Sequence, residues 1–442
     1  MRARCALAGA ALLGVLGLLA AVPAASGASA PAPDRAAAAA ELAAGLADRG
    51  FESVQVSAAD SVCRVRLENR RFRDPGFAFG VIAALADAAC PGPCEVVLLR
   101  QGVPVARVDF RSSDAAALAA GRLAQEAFAA DLAVETLPDV GPQDGSVLSP
   151  AVRRVDLSPR FILDSQFGHI EEPLVYHVEI APEIATQPWA GALLRLGWTF
   201  PIHHERDIQP GDLHPDYDRS RPEEAALYQF RRLGHRVLAS LAGGYFGLNR
   251  YGLSAGLGLA SGARWYLDAS ADLTGSLAFL PDVSYSGLKR VTFAGAATFR
   301  PGGSGPPDLA FTLRGGRYLY GAVAGSGVGE YAVRAEVARR FQQLEIGFFV
   351  VKSESNHYGG LRLSLPLPPA VRLRPGPVRL DLPAAFPAEY RTEEALFEVQ
   401  PVDPRLRAAL LDDLWRTSVV AQLDQWVAGY RYARQGVAEG TP

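Results

Sequence analysis

The sequence predicts a mainly β protein. We expect an outer-membrane antiparallel β-barrel of about 12 strands, preceded by a small periplasmic α/β domain and followed by a helical C-terminal tail. Three observations predict this fold class. The N-terminus has the pattern of an export signal, residues 153–370 alternate between apolar and polar side chains, and several alternating runs exceed the length of soluble strands.

The composition excludes two broad classes of protein. The 442-residue chain is 49% hydrophobic, which is too apolar for a mostly disordered protein. Its net charge is −3, whereas proteins that bind nucleic acid usually carry a basic surface. We therefore expect folded domains and no nucleic-acid partner.

Residues 1–28 are predicted to be a cleaved signal peptide. Arg2 and Arg4 precede an apolar run that extends from Cys5 to Val22 and is followed by small residues. A retained membrane anchor is the alternative interpretation. Because Cys5 lies before the apolar core, it is not placed for lipid attachment, and we expect no lipid anchor. The pattern predicts that the mature chain leaves the cytoplasm.

Three cysteines would remain after cleavage, namely Cys63, Cys90 and Cys94. An odd number in an oxidising compartment leaves at least one thiol unpaired or bridged to another chain. Cys90 and Cys94 enclose two prolines and a glycine, and they could close a small structural loop. A zinc site would need a second pair of this kind, so we predict no metal there.

Residues 34–130 are predicted to form an α/β module. Helices are expected over Arg35–Asp48, from Pro75 through Ala89, and from Ser113 to near Ala130, with two strand-like segments in each interval. The module contains no nucleophile with a base and no phosphate-binding loop, which favours a docking or binding role. The polar, turn-rich residues 131–152 are predicted to be a linker.

Residues 153–370 are predicted to form the barrel. Leu253, Leu257 and Leu259 alternate with small or polar residues, and strict alternation places each set on its own sheet face. Runs such as Val237–Gly247 and Trp265–Phe279 reach the roughly 9–11 residues of a membrane-spanning strand, whereas soluble strands peak near about 5–6. A soluble periplasmic glycan-binding β-sandwich remains the alternative.

A transmembrane helix pair over 237–263 is excluded on two grounds. Arg250 interrupts the apolar run and leaves stretches that are too short to span a bilayer as a helix. Seven glycines in this window would also weaken a helix.

Charged residues on the polar side of these strands are the candidate functional residues. In a barrel they would line the lumen and could select a charged or polar polymer. The alternative role is pairing with one another across neighbouring strands. The candidates are Arg236, Asp268, Asp272, Arg314, Arg334 and Glu336.

Two more specific motifs were compared with known catalytic and metal sites, and neither indicates an enzyme. The segment Gly252–Gly256 matches the nucleophile elbow of hydrolases, which requires a strand-to-helix turn, an acid and a histidine. Ser254 lies in mid-strand and His357 is the only later histidine, so a membrane hydrolase that uses Ser254 is kept only as an alternative. Histidines and acids crowd the loop at 203–218, where a solvated loop is favoured over a divalent cation. We predict no catalytic residue, no metal and no cofactor.

Residues 371–442 are predicted to form a Pro-rich segment and an amphipathic helical tail. Apolar residues at helical spacing within Asp403–Arg434 indicate one or two helices; they include Leu406, Leu410, Leu414, Val420, Leu423 and Trp426. Such helices could dock on the α/β module, plug a pore or contact a partner.

Several structural segments carry a resemblance to a known family. They are Leu67–Pro75, Leu98–Val105, Arg195–Phe200, Gly243–Gly262, Gly316–Gly321, Val333–Phe341, Ile346–Phe348 and Gly359–Leu367. Across these segments the chain resembles the YjbH/GfcD-type exopolysaccharide outer-membrane proteins. The resemblance implies an outer-membrane β-barrel with periplasmic α/β modules, encoded with machinery that makes or exports a polysaccharide.

We therefore expect a non-enzymatic outer-membrane barrel that assists exopolysaccharide biosynthesis or export. The expected partners are outer-membrane lipid, a polysaccharide and periplasmic proteins of the export machinery. A barrel with a plugged lumen and a purely structural role in the envelope is the main alternative.

Overall fold

The fold is given by a computed structural model. It describes residues 33–59, 61–141, 146–167, 174–204, 219–247, 249–279, 283–302, 308–320, 328–341, 344–354, 357–383, 385–391 and 406–438. The predicted signal peptide at 1–28 lies outside these residues. Most of the loop at 203–218, which carries the histidines and acids, also lies outside them.

The N-terminal α/β domain consists of one sheet and the helices packed on it. Its strands, in sheet order, are β1 (Glu52–Ala59), β2 (Val62–Glu68), β3 (Pro93–Arg100), β4 (Val103–Arg111) and β5 (Ala133–Thr136). Its helices are α1 (Pro33–Asp48), α2 (Pro75–Ala89), α3 (Ser112–Ala119) and α4 (Gln125–Asp131). Strands β2 and β3 are parallel, and the other neighbouring pairs are antiparallel.

Strand β5 corrects the predicted linker at 131–152. Ala133 pairs with Asp109 and Thr136 pairs with Ala106, so these residues complete the domain's sheet. The strand is only four residues long, which is too short for its alternation to stand out from the turn-rich sequence around it.

The rest of the strands form one large sheet. They are β6 (Val155–Phe167), β7 (Leu174–Thr186), β8 (Ala192–His204), β9 (Arg221–Arg232), β10 (Val237–Tyr245), β11 (Arg250–Ser261), β12 (Trp265–Ala278), β13 (Ser284–Tyr285), β14 (Arg290–Phe299), β15 (Asp308–Tyr320), β16 (Val328–Phe341), β17 (Leu344–Ser353), β18 (His357–Pro366), β19 (Val378–Leu380) and β20 (Ala385–Arg391). Sequential neighbours pair antiparallel from β6 to β12 and from β14 to β18, and β12 pairs with β14. In addition, β11 pairs with both β10 and β12.

The strand count differs from the predicted twelve. Among the described residues the sheet has fifteen strands, although β13 and β19 are only two and three residues long. Strand β20 comes from the segment predicted to be a Pro-rich tail, and it pairs antiparallel with β18 and parallel with β6. Pro387 lies inside β20, and prolines in this segment hid its alternation.

The two faces of the large sheet have opposite chemistry. One face, here called the apolar face, exposes large side chains: Leu253 and Leu257 are 44% and 42% exposed, and Phe348 is 64% exposed. The other, here called the polar face, carries small and charged residues that are shielded from solvent; Ser254 is 4% exposed and Arg334 is 8% exposed. The predicted alternation is therefore found, with large apolar residues on the exposed face and charged residues on the shielded face.

The C-terminal tail forms helices α5 (Leu406–Ala409), α6 (Arg416–Ala421) and α7 (Leu423–Ala438). Helix α7 packs on α2 so closely that a side chain at Gly80 would meet the Trp426 carbonyl oxygen at 2.0 Å. The indole of Trp426 is fully buried and stacks on Phe79 at 5.2 Å between ring centres. The tail thus supplies part of the α/β domain's hydrophobic core. Within the described residues, each helix is too short or too polar to cross a bilayer.

Candidate functional site

The polar face brings together five of the six predicted site residues. Asp268 and Asp272 lie on β12, Arg314 on β15, and Arg334 and Glu336 on β16. Arg236 lies instead in the turn between β9 and β10, with a left-handed φ of 63°. Its amide donates to the Leu137 carbonyl of the α/β domain, so it marks the contact between the domain and the end of the sheet.

Arg334 and Glu336 belong to a chain of ion pairs that crosses neighbouring strands. The Arg334 Nη2 atom lies 3.2 Å from Glu336 and 3.3 Å from Glu389 of β20. Arg362 of β18 lies 2.7 Å from Glu336 and 2.6 Å from Glu345. These residues pair with one another, which is the alternative role given for them in the sequence analysis.

Asp268 holds the C-terminal tail on the polar face. The Arg407 guanidinium of α5 donates to both carboxylate oxygens of Asp268, at 2.8 Å and 2.5 Å. It also donates to the Ser240 hydroxyl at 2.7 Å, and Arg407 is 3% exposed. Two-point pairing of a guanidinium with a carboxylate fixes orientation as well as distance. The tail is therefore seated in a defined position.

A second set of contacts holds the tail at the ends of β14 to β16. Arg300 donates to Asp412 at 3.1 Å and to Asp308 at 3.2 Å, and Arg340 donates to the Asp412 carbonyl at 3.0 Å. A cavity lies beside these groups and is lined by Thr312, Arg314, Glu336, Arg362 and Ala408, among others. The acids and arginines around this cavity are matched in number, so it has no excess of charge.

Asp272 and Ser254 face each other on β12 and β11. The Thr292 hydroxyl donates to one Asp272 oxygen at 2.9 Å, and the other Asp272 oxygen has no hydrogen-bond partner within the described residues. Ser254 lies within a continuous strand, whereas a nucleophile elbow needs a sharp turn from a strand into a helix. The local geometry at Ser254 does not have that form.

The α/β domain is joined to the sheet through a buried network around Arg70. Its guanidinium lies 3.2 Å from Glu68, 3.5 Å from Glu52 and 3.0 Å from Asp156 of β6. Burial raises the pKa of Glu52 although Arg70 and Arg154 act to lower it. Arg379 of β19 adds a 2.9 Å pair to Asp156. The domain and the base of the sheet are thus held together by shared charges.

The three cysteines meet at one point of the α/β domain. Cys63 and Cys94 are register partners on β2 and β3, and the Cys63 thiol also hydrogen-bonds to Cys90. All three are free thiols, and Cys63 and Cys94 are buried. Burial and the neighbouring Cys63 raise the pKa of Cys90 to about 12. No group of three or more metal-binding side chains is present among the described residues.

Sequence reasoning missed the residues that seat the tail. Arg407 lies in an apolar helical pattern, and Arg300 and Arg340 lie near strand ends, where a cation is ordinarily solvated. The pattern that could have found Arg300 and Arg340 is the two-residue period, which puts them on the same face as Arg314 and Arg334. The partner of Arg407 had no signal in the sequence.

The described residues thus define a mainly β protein with an α/β domain, a large sheet that has one charged face, and a helical tail seated on that face. Residues 17–207 match the model of the YjbH family, which is described as exopolysaccharide biosynthesis protein YbjH. This match confirms the YjbH-type resemblance, and it extends from the N-terminal segment through the α/β domain to β8. It points to involvement in exopolysaccharide biosynthesis. Searches of curated proteins and of solved structures found no match.

Proposed function

We propose that this protein is a non-enzymatic outer-membrane β-barrel that assists the biosynthesis or export of an exopolysaccharide. The family match supports the link to the polysaccharide. The sequence pattern at residues 1–28 supports export, after which the barrel inserts into the outer membrane and the α/β domain remains in the periplasm.

The observation that carries the proposal is the reversed chemistry of the large sheet. Large apolar side chains are exposed while charged side chains are shielded, which is the opposite of a soluble protein. A contiguous apolar surface of this kind would be unstable in water, whereas it suits the hydrocarbon of a bilayer. Trp198 and Trp265 are also on this surface, at 44% and 45% exposure, and suit the interface with lipid headgroups.

The strand pairing supports a closed sheet. The sheet order begins with β11 and ends with β12 followed by the short β13. Strand β11 nevertheless also pairs with β12, over Arg250–Ser261 and Trp265–Ser276. A sheet within a bilayer needs such pairing, because an open edge would leave backbone groups without partners in hydrocarbon. Most of these strands have ten or more residues, long enough to span.

Cell fractionation followed by gel electrophoresis tests this proposal. We expect the protein in the outer-membrane fraction, and we expect unboiled samples to migrate differently from boiled ones, as folded barrels do. A soluble periplasmic protein without a mobility shift would overturn the proposal in favour of a β-sandwich. The Ser254→Ala variant should leave the exopolysaccharide phenotype unchanged; loss of function with retained folding would support a hydrolase instead.

The seating of the tail favours a second candidate, a barrel whose lumen is closed and whose role is structural. Arg407 and Asp412 lie against the polar face and would occupy the lumen of a closed sheet. Conductance in planar bilayers separates the two functions. A channel in the wild-type protein supports passage of a polymer, whereas a protein that never conducts, even after removal of the tail's ion pairs, supports the structural role.

A further inference from the structure

Arg250, the first residue of β11, is buried without a partner for its charge. The residue is 2% exposed, and neither its Nε nor its Nη1 atom has a hydrogen-bond partner. Among the described residues it forms no ion pair. It lies on the polar face, because Gly252 and Ser254 follow it at the two-residue period.

Two further groups surround Arg250 on this face. Thr274 of β12 is fully buried, and its hydroxyl also has no hydrogen-bond partner. Thr274 is the register partner of Gly252 on one side and of Arg290 on the other, while Arg250 is the register partner of Ser276. Arg290 likewise makes no ion pair within the described part of the chain. Two arginines and a free hydroxyl therefore converge at this end of the sheet.

The carboxylate that follows on this face, that of Asp272, makes no ion pair with Arg250 among the described residues. Asp272 lies two residues from Thr274 along β12. One of its oxygens accepts a hydrogen bond from Thr292 at 2.9 Å, and the other has no hydrogen-bond partner in the described part of the chain. Every other buried arginine described above faces at least one carboxylate at 3.3 Å or less. The Arg250 end of the polar face thus differs from the rest of it, because its positive charge is not balanced by the protein.

An unpaired buried guanidinium is unfavourable by several kcal/mol unless an anion compensates it. The guanidinium fork matches the oxygens of a carboxylate or a phosphate, and a hydroxyl such as that of Thr274 can donate a further hydrogen bond. The missing component at this place is therefore an oxyanion supplied from outside the chain.

We propose that Arg250, Arg290 and Thr274 form a binding site for the oxyanion of an acidic saccharide unit, a carboxylate or a phosphate. This inference rests on the proposed function, in which the polar face lines the path of a polysaccharide. It adds that the polymer is acidic and that Arg250 recognises its charged groups.

The test measures binding to the purified full chain in detergent micelles by calorimetry. The probes are an oligogalacturonate, a neutral malto-oligosaccharide of equal length, and inorganic phosphate. We expect the acidic oligosaccharide to bind and the neutral one not to bind. Arg250→Gln should weaken binding by at least about tenfold, since a hydrogen bond to a charged group contributes roughly 1.5–3 kcal/mol. Arg264→Gln, an exposed turn residue in the same chain, should have no effect.

Equal binding of acidic and neutral sugars, or unchanged binding to Arg250→Gln, would overturn the inference. Binding of phosphate alone would assign the site to a free anion rather than to a saccharide, and would also overturn it. If Arg250→Gln fails to fold, Arg290→Gln serves in the same assay.

Thermal unfolding supplies a readout that a purely structural arginine would not give. We expect Arg250→Met to unfold at a higher temperature than wild type without ligand, and to lose the stabilisation by the acidic oligosaccharide. A lower unfolding temperature would indicate a structural role for Arg250. The binding and unfolding results do not depend on the fractionation experiment. A protein that is found in the outer membrane but binds no anion would therefore contradict this inference and leave the proposed function unaffected.

Discussion

Arg407 of the C-terminal tail and Asp268 of β12 form a two-point ion pair on the polar face of the large sheet, with N–O distances of 2.8 Å and 2.5 Å. Both side chains are nearly buried, at 3% and 8% exposure. The pair joins a helix next to the α/β domain to the first third of the 14-residue strand β12. It is thus one of the contacts that hold the tail in position.

Removing the charge of Arg407 should release this part of the tail. Arg407→Met leaves the Asp268 charge buried without a counter-ion, with only the Tyr266 hydroxyl, among the described residues, still donating to it, which costs about 3–5 kcal/mol. We expect faster proteolysis between α5 and α7 and, if the sheet encloses a lumen, a larger conductance in planar bilayers. Arg434→Met, an exposed residue of the same tail, is the control. Equal proteolysis and conductance in the two variants would show that the pair does not seat the tail.

A substitution at Gly256 tests the same contact between Arg407 and the polar face without changing any charge. A Cβ atom at Gly256 would lie 1.9 Å from the Arg407 Nη1 atom, so Gly256→Ala must displace the guanidinium. We expect the tail to become more sensitive to protease, though less than in Arg407→Met. Gly295→Ala is the matched control, since a Cβ there would meet its nearest neighbour at 3.8 Å. The same protease sensitivity in both alanine variants would contradict the prediction.

Trp426 should be a principal anchor of the tail to the α/β domain. Its ring contacts Phe79, Phe110 and Phe128 at centre distances of 5.2–5.4 Å, and it is fully buried. Trp426→Ala should lower the free energy of unfolding of the domain by about 3–5 kcal/mol, measured by urea denaturation. Tyr432→Ala should lower it less, because Tyr432 is 38% exposed. A smaller loss at Trp426 than at Tyr432 would contradict this packing.

The reduced thiol of Cys90 should react slowly with alkylating reagents. Its pKa is raised from 9.0 to about 12, and only the thiolate is nucleophilic. At pH 8 we expect alkylation on the order of a thousandfold slower than for an ordinary thiol, rising about tenfold per pH unit. The native state also holds this proton more tightly than the unfolded state, so the free energy of unfolding should fall as pH rises from about 9 towards 12. The unfolded protein is the control, and equal alkylation rates in both states would contradict the assignment.

The two-residue period predicted the main features of the sheet. It placed Asp268, Asp272, Arg314, Arg334 and Glu336 on one face, because in a long strand each residue's face follows from its position. The period gave the wrong position for Arg236, because this residue lies in the turn between β9 and β10 and not in a strand. The period carries no information about turns.

Contacts between segments that are distant in the chain could not be predicted from the sequence. Arg407 and Asp268 are 139 residues apart, and nothing in either local sequence specifies the other. Strand β20 was hidden for a different reason, since prolines obscured its alternation and its partner β6 lies near the start of the sheet. In the sequence Arg250 is only an interruption of an apolar run, because its burial is a property of the folded sheet.

The parallel pairing of β6 with β20 has a consequence for the kinetics of folding. Asp164 pairs with Glu389, so nearly all the strands of the sheet must be synthesised before this contact can form. Closing so long a segment is entropically slow, and both strands carry unpaired backbone groups until it happens. The chain should therefore be exposed to edge-to-edge aggregation for longer than a hairpin-only sheet of similar size.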